Sequence, residues 1–170
     1  MSGKTKLFSW ERLARPRHLD VASGMYNRLL EGKGWIVQAK EDGIRVLVEI
    51  TKGGQVKAWT RHGKRIEVPE VLGPSDSVLD GELVGDTVIC FDAPIFAGSD
   101  NTRLGLMDRV DRMGELYNIE YCHTGDKPGF VARCRELGKE GVVFKAKLDH
   151  YPKCWMGARQ DGVSWWKVRF

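Results

Sequence analysis

A lysine, two acidic residues, a glycine and an arginine crowd into Lys40-Glu41-Asp42-Gly43-Ile44-Arg45. Strand-like runs flank this stretch, Trp35 to Ala39 and Arg45 to Ile50. Asp-Gly is a strong turn signal. The pattern predicts a strand-turn-strand junction, with Lys40 at one strand end and Arg45 opening the return strand. An amine held there is a candidate nucleophile. It attacks only when deprotonated, and burial among further cations disfavours its ammonium form. An ordinary surface hairpin with solvated charges would carry the same residues. Chemistry therefore requires other groups to converge on Lys40.

Candidates for those groups lie far along the chain. They are two glutamates on or opening strands (Glu82 and Glu140), an aromatic at a strand end (Phe91), and two late lysines (Lys145 and Lys167). Nucleotidyl transfer needs such a set. It needs a nucleophile for the α-phosphate, cations for the phosphate charge, carboxylates for a divalent metal, and an aromatic slab for the base. Each residue also has a plainer reading. Phe91 and Trp166 could be core, Glu140 could cap a strand turn, and Lys145 could be a solvated strand residue.

Short elements must position these groups. Residues 1–19 read as a basic, irregular arm whose Leu7, Phe8, Trp10 and Leu13 pack in part on the body. Asp20 or Ser23 caps a short helix running to about Glu31, stopped by Gly32 and Gly34. Gly53-Gly54 turns the chain into a strand from Val56 to Thr60, and Arg61 to Arg65 is a basic turn. Val78-Leu79 and Glu82 to Val84 flank Asp80-Gly81, and an apolar run from Thr87 ends at Phe91-Asp92. A helix is predicted from Asn101 or Thr102, with Leu104, Met107, Val110 and Met113 on one side. Ile119 to Cys122 reads as a strand, and a helix follows Pro128 and stops at Gly138. Strands at Gly141 to Lys145 and Trp165 to Phe170 close the chain around a glycine-rich loop from Asp149 to Ser164. Short strands with few helices predict an α+β domain of antiparallel sheets flanked by helices.

Composition bounds the function classes. The chain has 170 residues, which predicts one domain with a real core. Hydrophobic residues make up 42% and charged residues 29%, a globular rather than disordered balance. Lys+Arg 27 against Asp+Glu 23 gives +4, which suits a polyanionic partner without demanding one. No apolar run suits a membrane span or a signal core, so a cytoplasmic protein is expected, with nucleoid or viral replication settings also open. Cys90, Cys122, Cys134 and Cys154 form no Cys-x-x-Cys pair and read as reduced thiols. Zinc would require Cys122, His123, His150 and Cys154 to converge, and they lack ligand spacing.

The motifs in order resemble the ATP-dependent DNA ligases and, more broadly, the covalent nucleotidyltransferases that include RNA ligases and capping enzymes. They are Lys40 to Arg45, Thr60-Arg61-His62-Gly63-Lys64, Asp80-Gly81-Glu82-Leu83, Phe91-Asp92, Glu140 to Lys145, and Trp165-Trp166-Lys167-Val168-Arg169. The resemblance covers about Trp35 to Arg169. It implies an adenylation domain in which Lys40 forms a lysyl-AMP from ATP. It implies that Gln38, with Ala39 beside it, meets the adenine, where many ligases carry Glu. Arg45 and Glu82 would hold the ribose and Phe91 would stack on the base. Lys145 and Lys167 would bind the α-phosphate, and Glu140, helped by Glu82, would bind Mg²⁺. Arg61, Lys64, Arg65 and Arg169 would meet the DNA backbone, and Arg109 would help close the pocket. Tyr151, Gly157, Arg159 and Trp165 resemble the stretch leading into the last motif.

The last motif departs from the family in carrying Arg169 where a second lysine is usual, which keeps the charge. The sequence also ends just after it, where ligases continue into an oligonucleotide-binding domain. One domain over 1–170 is thus expected, with a monomer acting on nicked double-stranded DNA and such a domain or protein supplied in trans. Two alternatives stand beside the DNA ligase. One is an RNA ligase or capping-type enzyme. The other is a nucleotide- or nick-binding module with little turnover.

Overall fold

The computed structural model describes residues 3–4, 9–10, 15–114, 116, 118–120, 122–151 and 165–170. Cys154, Gly157 and Arg159 lie outside them, as do the side chains of Leu7, Phe8, Trp10 and Leu13. The strands are β1 (Gly3–Lys4), β2 (Ser9–Trp10), β3 (Arg17–His18), β4 (Trp35–Lys40), β5 (Ile44–Ile50), β6 (Val56–Thr60), β7 (Arg65–Ile66), β8 (Ser77–Val84), β9 (Thr87–Phe96), β10 (Ser99–Asp100), β11 (Gly141–Ala146) and β12 (Trp165–Arg169). The helices are α1 (Gly24–Glu31), α2 (Leu106–Arg112) and α3 (Lys127–Glu136). Strands β1 and β2 pair with each other. The remainder form a six-stranded sheet, β10-β9-β8-β5-β6-β7, and a four-stranded sheet, β3-β12-β11-β4. Apart from the parallel β3–β12 pair, every ladder is antiparallel. The fold is α+β, as the sequence predicts. No helix among the described residues is long and apolar enough to cross a membrane.

Strand periodicity divides the core. Val37 on β4, Val142 and Phe144 on β11, and Val168 on β12 face α1 and α3, burying Leu29, Val131 and Cys134. Ile36 on the other face of β4 joins Val46, Val48, Leu79 and Cys90 of the six-stranded sheet, and α2 caps that core through Leu106 and Val110. Ser23 and Asp126 cap α1 and α3, each accepting a backbone N–H with its side chain.

Several expectations give way to the tertiary structure. Strands β4 and β5 are not hairpin partners. β4 pairs with β11, and β5 pairs with β6 and β8, so Glu41-Asp42-Gly43 is a corner between two sheets. Gly43 is required there, because a Cβ would collide with the Leu83 carbonyl of β8. Asp80-Gly81 does not interrupt a strand. It lies within β8 at a register shift against β9. Strand β9 continues past Asp92 to Phe96, because Arg109 neutralises the buried Asp92 carboxylate. Helix α2 begins only at Leu106, since Asp100 caps the Thr102 amide and hydroxyl and holds the preceding residues in a turn. Among the described residues, the stretch read as a strand around Ile119 makes isolated bridges, Cys90 to Ile119 and Val37 to His123. At the end of the arm β3 lies along β12 and Leu19 is buried.

Candidate active site

The corner after β4 opens into a cavity of about 620 Å³ between the two sheets. That volume suits a nucleotide-sized ligand. The antiparallel register assembles its floor in rows. Lys40 stands opposite Gly141, which stands opposite Arg169. One row along, Gln38, Val143 and Lys167 align; the next row holds Ile36, Lys145 and Trp165. The two-residue period therefore turns Gln38 and Lys40, Val143 and Lys145, and Lys167 and Arg169 to the cavity, while Val37, Val142 and Val168 face the helices. Across the corner, Arg45 on β5 stands opposite Glu82 on β8. Residues more than a hundred positions apart in the chain are thereby brought to one wall.

Lys40 Nζ donates to Glu140 Oε2, and Arg169 Nε donates to Glu140 Oε1 at 2.9 Å. One carboxylate thus holds the candidate nucleophile and a cation from the last strand. Lys139 pairs with Glu41 at 2.6 Å and pins the corner to the start of β11. Arg45 Nε and Nη2 reach Asp80 at 3.0 and 2.6 Å, and Tyr151 donates its hydroxyl to the same carboxylate at 2.6 Å. This bidentate pairing fixes the plane of the guanidinium.

Lys145 is enclosed between two aromatic rings, 4.4 Å from the Phe91 centroid and 4.2 Å from that of Trp165. Burial pushes its pKa down to about 8, against the pull of Asp92, Cys122 and Asp80. Lys167 is also lowered, by desolvation and by its neighbours Arg169 and Lys40. Burial raises the Glu82 carboxyl to about 7 in spite of Arg45 and Lys40 nearby. A cation brought against Glu82 would favour its charged form.

Gln38 is 1% exposed. Its Nε2 donates to the Glu120 carbonyl at 2.9 Å, and its Oε1 has no partner among the described residues. A buried acceptor left open is costly and marks a place for a donor. The indole Nε1 of Trp165 is likewise buried without a partner among the described residues.

Most of the residues expected from the sequence meet here. Gln38, Ala39, Lys40, Arg45, Arg61, Glu82, Phe91, Glu140, Lys145, Lys167 and Arg169 line the one cavity. Lys64 and Arg65 do not. They are exposed beyond the Arg61–His62 turn that reaches the rim. Arg109 does not close the pocket. It is fully buried, bidentate to Asp92 at 2.6 and 2.8 Å, and donates to the carbonyls of Leu104 and Asp149 at 2.6 and 2.8 Å. Its position on the inner face of α2 makes it a structural tie. Glu120 lines the cavity without having been foreseen, since it sits in a stretch with no periodicity or motif. Asp80 enters the sequence reading as part of a turn-like dipeptide and as the first residue of the Asp80 to Leu83 motif, with no role assigned to its carboxylate. No group of three or more His, Cys, Asp or Glu side chains suited to a metal occurs among the described residues.

Neither a scan of protein-family models nor a search of curated proteins finds a match to the chain. Solved structures do resemble it. The ligase domain of M. tuberculosis LigD superposes with a TM-score of 0.66 at 20% identity, over 95% of this chain and 61% of that one. Mycobacterial DNA ligase D complexed with ATP and MES gives 0.65 at 20% identity, over 91% and 60%. An archaeal ATP-dependent RNA ligase gives 0.61 at 17% identity, over 93% and 48%. The chain thus spans about three fifths of the DNA ligase structures it matches. DNA and RNA ligases alike are among the matches, and the chain has the fold of their catalytic, adenylation-type domains.

Proposed function

We propose that this chain is the adenylation domain of an ATP-dependent polynucleotide ligase, with Lys40 as the covalent residue. The observation that carries the reading is the convergence on one 620 Å³ cavity of Lys40, Glu140, Arg45, Lys145 and Lys167, drawn from both sheets. Structural surface charges would not gather around a concave space of nucleotide size.

In this reading the base enters the end of the cavity lined by Phe91, Val143 and Gln38, and the open Gln38 Oε1 accepts from the exocyclic amine of adenine. Lys145 and Lys167 face the α-phosphate. Lys40 gives up a proton, for which the contacting Glu140 carboxylate is the nearest acceptor. The freed Nζ lone pair forms the N–P bond. The bond from the α-phosphorus to its bridging oxygen breaks, and pyrophosphate leaves with that electron pair. The AMP then passes to a 5′-phosphate, and a 3′-hydroxyl displaces it to make the phosphodiester. Arg61 and Arg169 at the rim, with the exposed Lys64 and Arg65, would meet the polynucleotide backbone.

Mg²⁺ usually takes one or two carboxylates together with substrate phosphates and water. Glu140 and the charge-poor Glu82 fit that donor set, and the lack of a three-residue cluster does not conflict with it. When bound, the ion would neutralise charge on the phosphates.

Nicked double-stranded DNA is the substrate we favour, because the Asp80 to Leu83 and Trp165 to Arg169 motifs resemble those of DNA ligases more. The likeness to an archaeal RNA ligase keeps RNA as the second reading. Sealing assays on matched duplexes decide between them. The 3′-hydroxyl and 5′-phosphate strands are varied independently between DNA and RNA. The reading expects the all-DNA nick to be sealed fastest. Preferential sealing of RNA ends would replace it with the second reading.

A further inference from the structure

Strand β4 carries the candidate nucleophile at its C-terminal end and lies at the edge of its sheet, with only β11 beside it. Alternation along an edge strand leaves every second N–H facing away from its partner. On β4 these belong to Trp35, whose N–H turns back to the Gly32 carbonyl at 3.2 Å, and to Val37 and Ala39. The Val37 N–H donates to the His123 carbonyl at 3.0 Å, and the His123 N–H returns to the Val37 carbonyl at 2.9 Å. The Ala39 N–H, one residue before Lys40, has no backbone acceptor. It donates to Glu120 Oε1 at 3.0 Å.

Glu120 is itself tied to the opposite sheet. Its N–H donates to the Cys90 carbonyl at 2.7 Å, the Cys90 N–H donates to the Asn118 carbonyl at 2.9 Å, and Phe91 is the next residue. Its own carbonyl accepts from Gln38 Nε2 at 2.9 Å. One residue therefore links the strand carrying Phe91 to both Gln38 and the peptide that precedes Lys40. We propose that Glu120 is a positioning residue for adenylyl transfer, whose carboxylate clamps the end of β4 and so sets the separation between the base platform and the Lys40 amine. The proposal rests on the adenylation reading above. It names a role for a side chain that touches no reacting atom. A misplacement of about 1 Å of a reacting group can cost about a hundredfold in rate. A clamp on the residue next to the nucleophile is therefore where rate would be sensitive.

The test pairs Glu120→Ala with Glu120→Gln in the whole chain. The glutamine keeps an oxygen that can accept from Ala39; the alanine does not. Two measurements are made: amide exchange at Ala39 by NMR without nucleotide, and the ATP dependence of the single-turnover rate of adduct formation. We expect Glu120→Ala to speed Ala39 exchange about tenfold, the scale of one hydrogen bond. It should lower the maximal rate by about tenfold or more, with the ATP concentration for half-maximal rate changed less than about twofold. Glu120→Gln should restore both most of the way. If Glu120→Ala does not fold, Glu120→Met, which keeps length and removes the acceptor, takes its place. An unchanged maximal rate in the acceptor-less variant overturns the proposal. So does a rise confined to the half-maximal ATP concentration, or a glutamine variant that protects Ala39 yet stays as slow as the alanine. If the unaltered chain forms no adduct with ATP, the adenylation reading fails, and the exchange arm still reports whether the clamp exists.

Discussion

Lys145 shows how much a single residue's role depends on its surroundings. On an open strand it would be a solvated cation. Here it is 3% exposed between two aromatic rings, and burial brings its pKa to about 8. The unfolded chain keeps the ordinary lysine value near 10.5. Between pH 8 and 10.5 the unfolded state binds the extra proton, so this residue makes the fold more stable as pH rises through that window. With Lys145 at the α-phosphate, as proposed, nucleotide binding would run the other way, because phosphate needs the ammonium. ATP affinity should weaken as pH rises above about 8, and Lys145→Met should remove that part of the pH dependence along with much of the affinity; titration calorimetry across pH 7.5 to 9.5 checks it. Glu82 has the opposite sign. Its folded pKa, raised by burial to about 7 from 4.5, makes the fold less stable as pH rises between those values. Glu82→Gln should flatten that part of the curve in denaturant titrations, with Glu120, also raised to about 7 by burial, supplying a remaining slope. For the base, Phe91→Ala should weaken ATP binding by about 1–3 kcal/mol, the scale of base–aromatic stacking. Phe91→Tyr should bind nearly as well as the original. Equal affinity for the alanine variant would make Phe91 a core residue only.

At the scale of elements, the corner at Glu41-Asp42-Gly43 is the part the sequence conveyed least completely. Strand propensity and the Asp-Gly pair locate the turn and put Lys40 at its edge. They do not say whether the strands on either side bond to each other. That depends on partners about a hundred residues away, at Gly141 and beyond. The same limit explains Asp80 and Glu120. Asp-Gly reads locally as a turn, whereas a bulge and the ion pair to Arg45 keep it inside β8. Glu120 acts through a carbonyl, an amide and a carboxylate in an irregular stretch, and no residue-type pattern encodes that. Arg109 was misassigned because a helix-face arginine looks the same from sequence whether it faces a pocket or a buried aspartate. In contrast the convergence of Lys40, Glu82, Phe91, Glu140, Lys145 and Lys167 on one cavity agrees with the order of motifs that resembles the ligases, a pattern that spans distant parts of the chain. The corner yields its own prediction. Gly43→Ala forces a Cβ onto the Leu83 carbonyl and should destabilise the fold by about 1–3 kcal/mol. It should also slow adduct formation more than Gly53→Ala, whose added Cβ meets nothing within 4 Å. Equal effects of the two would remove the corner from the account.

At the scale of the whole molecule, an antiparallel six-stranded sheet and a mixed four-stranded sheet face a shared cavity, and charge is concentrated where they meet. Arg15 from the arm, Arg61 from the β6–β7 turn, and Arg169 from the last strand all line that cavity. A polynucleotide crossing the mouth would be held by few phosphate contacts. Its log K should fall by about 0.9 per contact for each tenfold rise in salt. Arg61→Ala should reduce that slope by about one contact, measured by fluorescence anisotropy on nicked duplex. A covalent lysine is the central claim. The direct measurement is intact mass after incubation with ATP and Mg²⁺, followed by peptide mapping, for the unaltered chain and for Lys40→Ala. The account predicts a gain of one adenylyl group, mapped to Lys40 and absent from the folded Lys40→Ala variant. An adduct that persists in that variant, or that maps to Lys145 or Lys167, would contradict it.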